Sequence, residues 1–181
     1  ESMKLRKIFA VAMLALSLAA VLCACSDNSV AGRMKAIEDS VKQVNVYTAE
    51  LTITDGSTKV YGYKAVSTRN EQGYAVEITE GRYNSSFEYE ENVSERSVTE
   101  IAAPLKFTED DFTVFAVNNG TVNALVGKAK LASVINVSPE APLGDARITI
   151  NFDKDKVTNI TVTYHAETSG QDVSYVYTFG Y

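Results

Sequence analysis

Residues whose types and spacing could do chemistry are few in this chain. His165 is its only histidine, with Glu167 two positions on. A hydrolytic triad or a catalytic zinc needs converging partners, and zinc enzymes usually supply three protein ligands. The expectation for His165 is a surface imidazole. The carboxylates fall into runs: Glu88, Glu90 and Glu91 on one stretch, Glu109-Asp110-Asp111, and Asp153-Lys154-Asp155-Lys156. The last lacks the further oxygens and the glycine of a calcium loop. Paired carboxylates hydrolyse glycosides only at a fixed separation across a cleft, so these runs are expected to be solvated faces and loops. The sequence holds no phosphate-binding glycine loop, nucleophile elbow or His-Glu-x-x-His element. Matches to the glycosylation sequon, Asn119-Gly120-Thr121 among them, are read as chance in a chain rich in Asn, Ser and Thr. The expectation is a non-enzyme with no metal and no cofactor.

The aromatic residues carry the better lead. Ten Tyr and seven Phe occur with no Trp. Tyr61, Tyr63, Tyr74, Phe87, Tyr89, Tyr164, Tyr175, Tyr177 and Phe179 all fall on inferred apolar strand positions. One reading is a plain sheet core, since aromatics suit a pleated surface. The other is a cleft between sheet and helix that admits an apolar ligand, with tyrosine hydroxyls as polar fixtures. The candidate ligand-binding set is Tyr61, Tyr63, Tyr74, Phe87, Tyr89, Tyr164, Tyr175 and Tyr177.

These residues must be carried by a folded body, and the start of the chain says where that body works. Glu1 and Ser2, ahead of Met3, are read as an expression remnant. Lys4, Arg6 and Lys7 precede a run from Ile8 to Leu22 that is apolar apart from Ser17. That run is short of the ~20 residues a spanning helix needs, so it reads as a secretory signal. Leu22-Cys23-Ala24-Cys25 resembles the bacterial lipobox, with Cys23 where Ala or Ser is usual. The resemblance implies cleavage before Cys25 and a thioether-linked diacylglycerol on it. The expected organisation is 1–24 removed, 25–29 as lipid-bearing residue and tether, and 30–181 as one domain. The placement expected is the outer side of the cell membrane, held by the lipid. Removing Lys4, Arg6, Lys7 and Glu1 leaves 14 basic and 22 acidic residues, a net charge of −8. That balance argues against nucleic acid and against an added electrostatic grip on anionic lipid heads. With Cys23 gone and Cys25 modified, no disulfide pair remains.

Ser26-Asp27-Asn28-Ser29 is a polar tether that can cap a helix. Val30, Met34, Ile37, Val41 and Val44 recur at helical spacing, with Arg33, Lys35, Glu38, Asp39 and Lys42 mostly off that face. The spacing predicts one amphipathic helix over roughly residues 29–44. The period then becomes two. Strands are expected around Tyr47–Ile53, Tyr61–Ala65, Tyr74–Ile78, Phe87–Tyr89, Ser94–Ile101, Ile148–Phe152, Ile160–Tyr164 and Val173–Phe179, with Asp55-Gly56 among the turns. Residues 102–145 hold all three prolines, and Phe107–Phe112 could open a short helix capped by Thr108. The stretch from Val122 to Val134 fits helix or strand, and Gly127 weakens both.

The order of helix, meander, irregular middle and hairpins resembles the lipoprotein-carrier superfamily, which includes the LolA and LolB carriers and the LppX and LprG envelope lipoproteins. Residues Asp145–Tyr181 carry most of the likeness: a strand, a short acidic loop, a strand ending in Tyr, a loop, and a last strand alternating Tyr with polar residues. The resemblance implies a curved, incomplete barrel whose concave face holds acyl chains in some members; residues 102–145 look short of helix for a full lid. The fold expected is α+β: a curved, mainly antiparallel, half-barrel-like sheet of about eight strands with an N-terminal amphipathic helix on one face. The expected role is a membrane-anchored extracytoplasmic binder of lipid or another apolar ligand. The alternative is a surface module that holds an envelope protein or the cell wall.

Overall fold

The computed structural model describes residues 27–138 and 141–181. The expected signal segment, its cleavage point and Cys25 lie outside the described residues. Helix α1 (Val30–Val41) is capped by Ser29, whose hydroxyl accepts the Gly32 N–H at 3.0 Å. Such a cap satisfies one of the orphan donors of the first turn. The stripe read from the sequence packs inward through Met34, Ile37 and Val41. The helix is shorter than its apolar spacing, because Val44, although buried, belongs to the link into the sheet, where the Asn45 N–H already donates to the Gly180 carbonyl. Arg33, expected off the apolar face, is only 2% exposed. Its guanidinium lies 4.4 Å from the centre of the Phe152 ring and donates to the Asn28 side chain.

Nine antiparallel strands form one curved, unclosed sheet: β1 (Val46–Asp55), β2 (Thr58–Asn70), β3 (Gly73–Tyr83), β4 (Tyr89–Val98), β5 (Val114–Asn118), β6 (Thr121–Val126), β7 (Ala146–Asp153), β8 (Lys156–Ala166) and β9 (Gln171–Gly180). Their order is β4-β3-β2-β1-β9-β8-β7-β6-β5. Each half is thus a meander, and β1 and β9 zip the halves together over nine register pairs. A second helix, α2 (Lys128–Val134), follows β6. The expectation of an α+β fold with a curved antiparallel sheet is borne out.

The differences in detail have local causes. The two strands expected between Phe87 and Ile101 are one strand, β4, and Phe87 sits in the preceding turn with φ of 61°. Asn84 dictates that turn, because its side-chain oxygen accepts the N–H groups of Ser86 and Glu88. The uncommitted middle supplies two more strands and α2. Asn119 and Gly120 both have positive φ, 47° and 77°, the geometry of a tight hairpin turn between β5 and β6.

Strand alternation sorts the sheet into two faces. On one, Tyr47, Ala65, Val76, Ile148, Ile160 and Tyr177 are buried. The other carries polar positions such as Thr48, Thr52, Thr161 and Thr163 on β1 and β8. Because β4 and β5 are opposite edges, residues 99–113 must pass from one edge to the other. This strap buries Leu105 and Phe107 in the core and is tied to α2 by the Lys106 N–H donating to the Val134 carbonyl. A register shift after Asn151 disturbs the β7–β8 ladder near its turn. There the Val157 N–H donates to the Ser40 hydroxyl of α1 at 3.0 Å, and the Tyr181 hydroxyl donates to the Val157 carbonyl at 2.7 Å. Side chains thus satisfy backbone groups that the sheet leaves buried.

Gly144 approaches β8 so closely that a Cβ there would lie 1.9 Å from the His165 carbonyl oxygen. Both sides of that contact are backbone, so neither gives easily. Gly144→Ala is expected to lower stability by about 1–3 kcal/mol, read as a lower urea midpoint with an unchanged slope; an unchanged midpoint would refute the close approach.

Candidate apolar-ligand cleft

The first two turns of α1 set Val30, Ala31 and Met34 opposite the strap. The strap is shaped there by a short 3-10 turn, Glu109–Asp111. Thr108 opens it as expected, its N–H donating to the Asp111 carboxylate at 2.8 Å. The Asp111 N–H donates back to the Thr108 carbonyl at 3.2 Å. Beyond the turn, the Thr113 N–H and hydroxyl both donate to the Leu125 carbonyl on β6, which lets the chain enter β5. Phe107, Phe112 and Phe115 are thereby brought into one cluster. Phe107 and Phe112 meet edge to face at 4.9 Å between centroids, and Phe112 lies 5.1 Å from Phe115.

Between this cluster and α1 lies an open cleft of about 670 Å³. That volume is within the ~300–1,000 Å³ typical of small-molecule sites, which are mostly apolar with a few polar fixtures. Val30, Met34 and the three phenylalanines form its walls; Lys35, Glu38 and Glu109 stand among its lining residues. A second recess of about 420 Å³ lies between the end of α1 and Thr99–Ala103, and Glu38 lines both. The walls can hold an aliphatic chain or a small apolar body by burial alone.

The tyrosine stripe does not form this cleft. Tyr47, Tyr177 and Phe179 pack as a buried cluster, with Tyr47 stacked on Tyr177 at 6.4 Å and edge-on to Phe179 at 5.2 Å. Burial, then a neighbouring phenol (Tyr177 for Tyr47, Tyr175 for Tyr177), pushes the two hydroxyls far above the usual phenol range. Burial raises the Tyr164 and Tyr175 phenols as well. Tyr74 is a structural fastener: its hydroxyl donates to the Val44 carbonyl at 3.1 Å and accepts from Arg69 at 2.6 Å. Tyr61 and Tyr63 lie on the apolar face, in register with Ile53 and Leu51 of β1. There Leu51, Ile53 and Ile78 are only partly buried, and the Tyr61 hydroxyl donates to Glu80 at 3.2 Å.

Two members of the expected set stand elsewhere. Phe87 is 88% exposed on its turn. Tyr89 lies on the polar face, over Gly81 and Gly62, where its hydroxyl is 2.4 Å from the position a Gly81 Cβ would take. It pairs edge to face with Tyr83 at 5.4 Å, with Lys59 on its ring. The alternation was read one residue out of phase, because Glu90, not Tyr89, shares the Tyr61 face, opposite Arg82.

His165 pairs with Asp172, its cross-strand neighbour, at 2.9 Å, whereas Glu167 binds Lys128 at 2.6 Å. Both members of the His165–Asp172 pair are mostly exposed, where such pairs contribute little. Among the described residues, no three His, Cys, Asp or Glu side chains converge as a metal site, and no helix is long and apolar enough to cross a membrane. The phenylalanine cluster was missed in sequence because its residues sit in the stretch without a clear period. The available signal was three phenylalanines within nine residues, Phe107 to Phe115, flanking a capped acidic turn.

No model of a known protein family matches this chain, and no curated protein matches it significantly.

Proposed function

We propose that this chain is a membrane-anchored extracytoplasmic lipoprotein, lipid-modified at Cys25, whose domain binds a lipid or another apolar molecule without catalysing a reaction. The observation that carries the reading is the cleft between α1 and the strap, with Val30, Met34, Phe107, Phe112 and Phe115 as its walls. The leader with its Leu22-Cys23-Ala24-Cys25 motif supports the placement. A curved, unclosed sheet with helical cover also agrees with the form that the lipoprotein-carrier resemblance implies.

A second reading, a surface interaction module, draws on a different feature. The edge strand β4 is exposed along most of its length, and Phe87 projects beside it. Unpaired strand edges can accept an added strand from a partner.

Native mass spectrometry of a Cys25→Ser form, purified without detergent and then mixed with a medium-chain fatty alcohol, separates the two. The binder reading expects an adduct of apolar mass, lost in Phe112→Asp, since a carboxylate in an apolar wall is costly to desolvate. A clean apo mass that Phe112→Asp leaves unchanged would overturn it and hand the role to the β4 edge.

A further inference from the structure

The cleft opens where the lipid would begin. Asn28, Ser29, Val30 and Ala31 all line it, and Cys25 stands three residues before Asn28. Three residues span at most about 10 Å, so any lipid on Cys25 leaves the chain within reach of the phenylalanine walls. We infer that the occupant of the Phe107–Phe112–Phe115 cleft is an acyl chain of this protein's own Cys25 anchor; the inference rests on the lipoprotein reading above.

Charge and tethering select this occupant over a free lipid. Glu38 and Glu109 line the cleft, Asp110 and Asp111 continue the acidic turn, and the one cation among the described lining residues, Lys35, is already paired with Asp39. An anionic phospholipid or a free fatty acid brings its own negative charge to that opening. A diacylglycerol in thioether linkage carries none. A short tether also holds its chain near the site at an effective concentration of about millimolar, which a dilute free ligand does not match. The apolar lining then serves as a parking place for one chain. Because stable anchoring takes two lipid signals, a chain withdrawn into the cleft leaves a weaker, reversible hold on the membrane. The domain would then be held close to the bilayer when the cleft is empty and loosely when it is filled.

The test uses the full chain made in bacterial cells fed a palmitate analogue that bears a photoactivatable diazirine. After illumination, cross-linked peptides are mapped by mass spectrometry, and intact mass reports the state of Cys25. The expected result is a cross-link from the Cys25-borne chain to the peptides of Val30–Met34 or Phe107–Phe115. Its yield should fall at least about tenfold in Phe112→Asp, given the cost of a charge in an apolar site. Val30→Asp, an acidic residue at a helix start that favours one, should lower the yield likewise without threatening the fold. Probe confined to bilayer lipids and other proteins, with neither cleft peptide labelled from Cys25, overturns the inference. Equal labelling of the cleft in an anchor-free Cys25→Ser form also overturns it, but leaves the apolar binder standing. Cleft peptides unlabelled in both forms overturn both readings, and an unmodified Cys25 in the intact mass removes the lipoprotein reading itself.

Discussion

Raising the pH above about 10 is expected to unfold the domain. Phenols in an unfolded chain ionise near pH 10. In the folded chain, burial holds Tyr47, Tyr164, Tyr175 and Tyr177 above that value. The native state therefore keeps protons that the unfolded state has lost, and stability falls as pH rises. Their contribution is fully present below pH 10 and is lost above it. Tyr47 and Tyr177 are 6% and 9% exposed, so their shifts are little screened by solvent. Each such group removes about 1.4 kcal/mol per pH unit, so these two alone remove on the order of 5 kcal/mol between pH 10 and 12. That loss is comparable with the whole stability of an ordinary domain, about 5–15 kcal/mol. Urea midpoints should be flat from pH 7 to about 9.5 and then fall steeply. Phenolate absorbance should rise together with the loss of tertiary structure. Tyr177→Phe should flatten the fall, because it removes one titrating group. Phenolates that form at ordinary pH while the fold persists would show that the cluster is open to water.

The second large effect separates the buried wall residue of the cleft from its half-buried ones. Phe107 is 5% exposed and supports both Phe112 and Phe115, at 4.9 and 6.4 Å. Phe107→Ala should cost about 3–5 kcal/mol, because it removes a buried ring and leaves a void beneath the strap. Phe112 and Phe115 are only partly buried, so Phe112→Ala should cost nearer 1 kcal/mol. Their main loss should be in ligand affinity. Denaturant unfolding beside ligand titration checks the split: Phe107 weakens the fold, Phe112 weakens binding. Equal stability costs at both positions would mean that the cluster is ordinary core and the cleft incidental.

Much of this fold was legible because its patterns are local. The Ser29 cap and the Met34-Ile37-Val41 spacing marked α1, and period-two alternation marked β1, β2, β3, β7, β8 and β9. The reading failed where two elements shared one apolar run. Val122, Ala124 and Val126 are buried strand positions, while Leu131 and Val134 are buried helix positions, with Gly127 capping α2 between them. A window across Gly127 therefore mixes two periods and shows neither. The Asn119-Gly120 turn marks the start of β6, but in the sequence it stands only as a sequon match.

The candidate site was less legible for a related reason. Phe87 and Tyr89 looked like apolar-face strand residues because Glu88 and Glu90 flank them, yet Asn84 holds a turn through residue 88, which leaves Phe87 in the turn and puts Tyr89, the first residue of β4, on the polar face. Arg33 shows the converse error. Its side-chain type put it in the group mostly off the apolar face, whereas its burial depends on Phe152, a β7 residue more than a hundred positions away. The cleft itself joins the first turns of α1 to a strap some seventy residues on, and no local pattern reports such a pairing.

Methyl-detected NMR of the Cys25→Ser domain during titration with a medium-chain fatty alcohol puts the central claim to the most direct test. Met34 lines the cleft, whereas Ile160 is buried in the sheet core. The account predicts a saturable shift of the Met34 methyl, and of Val30, with Ile160 unmoved. A Met34 signal that stays in place at saturating ligand, or one that moves no more than Ile160, would contradict it.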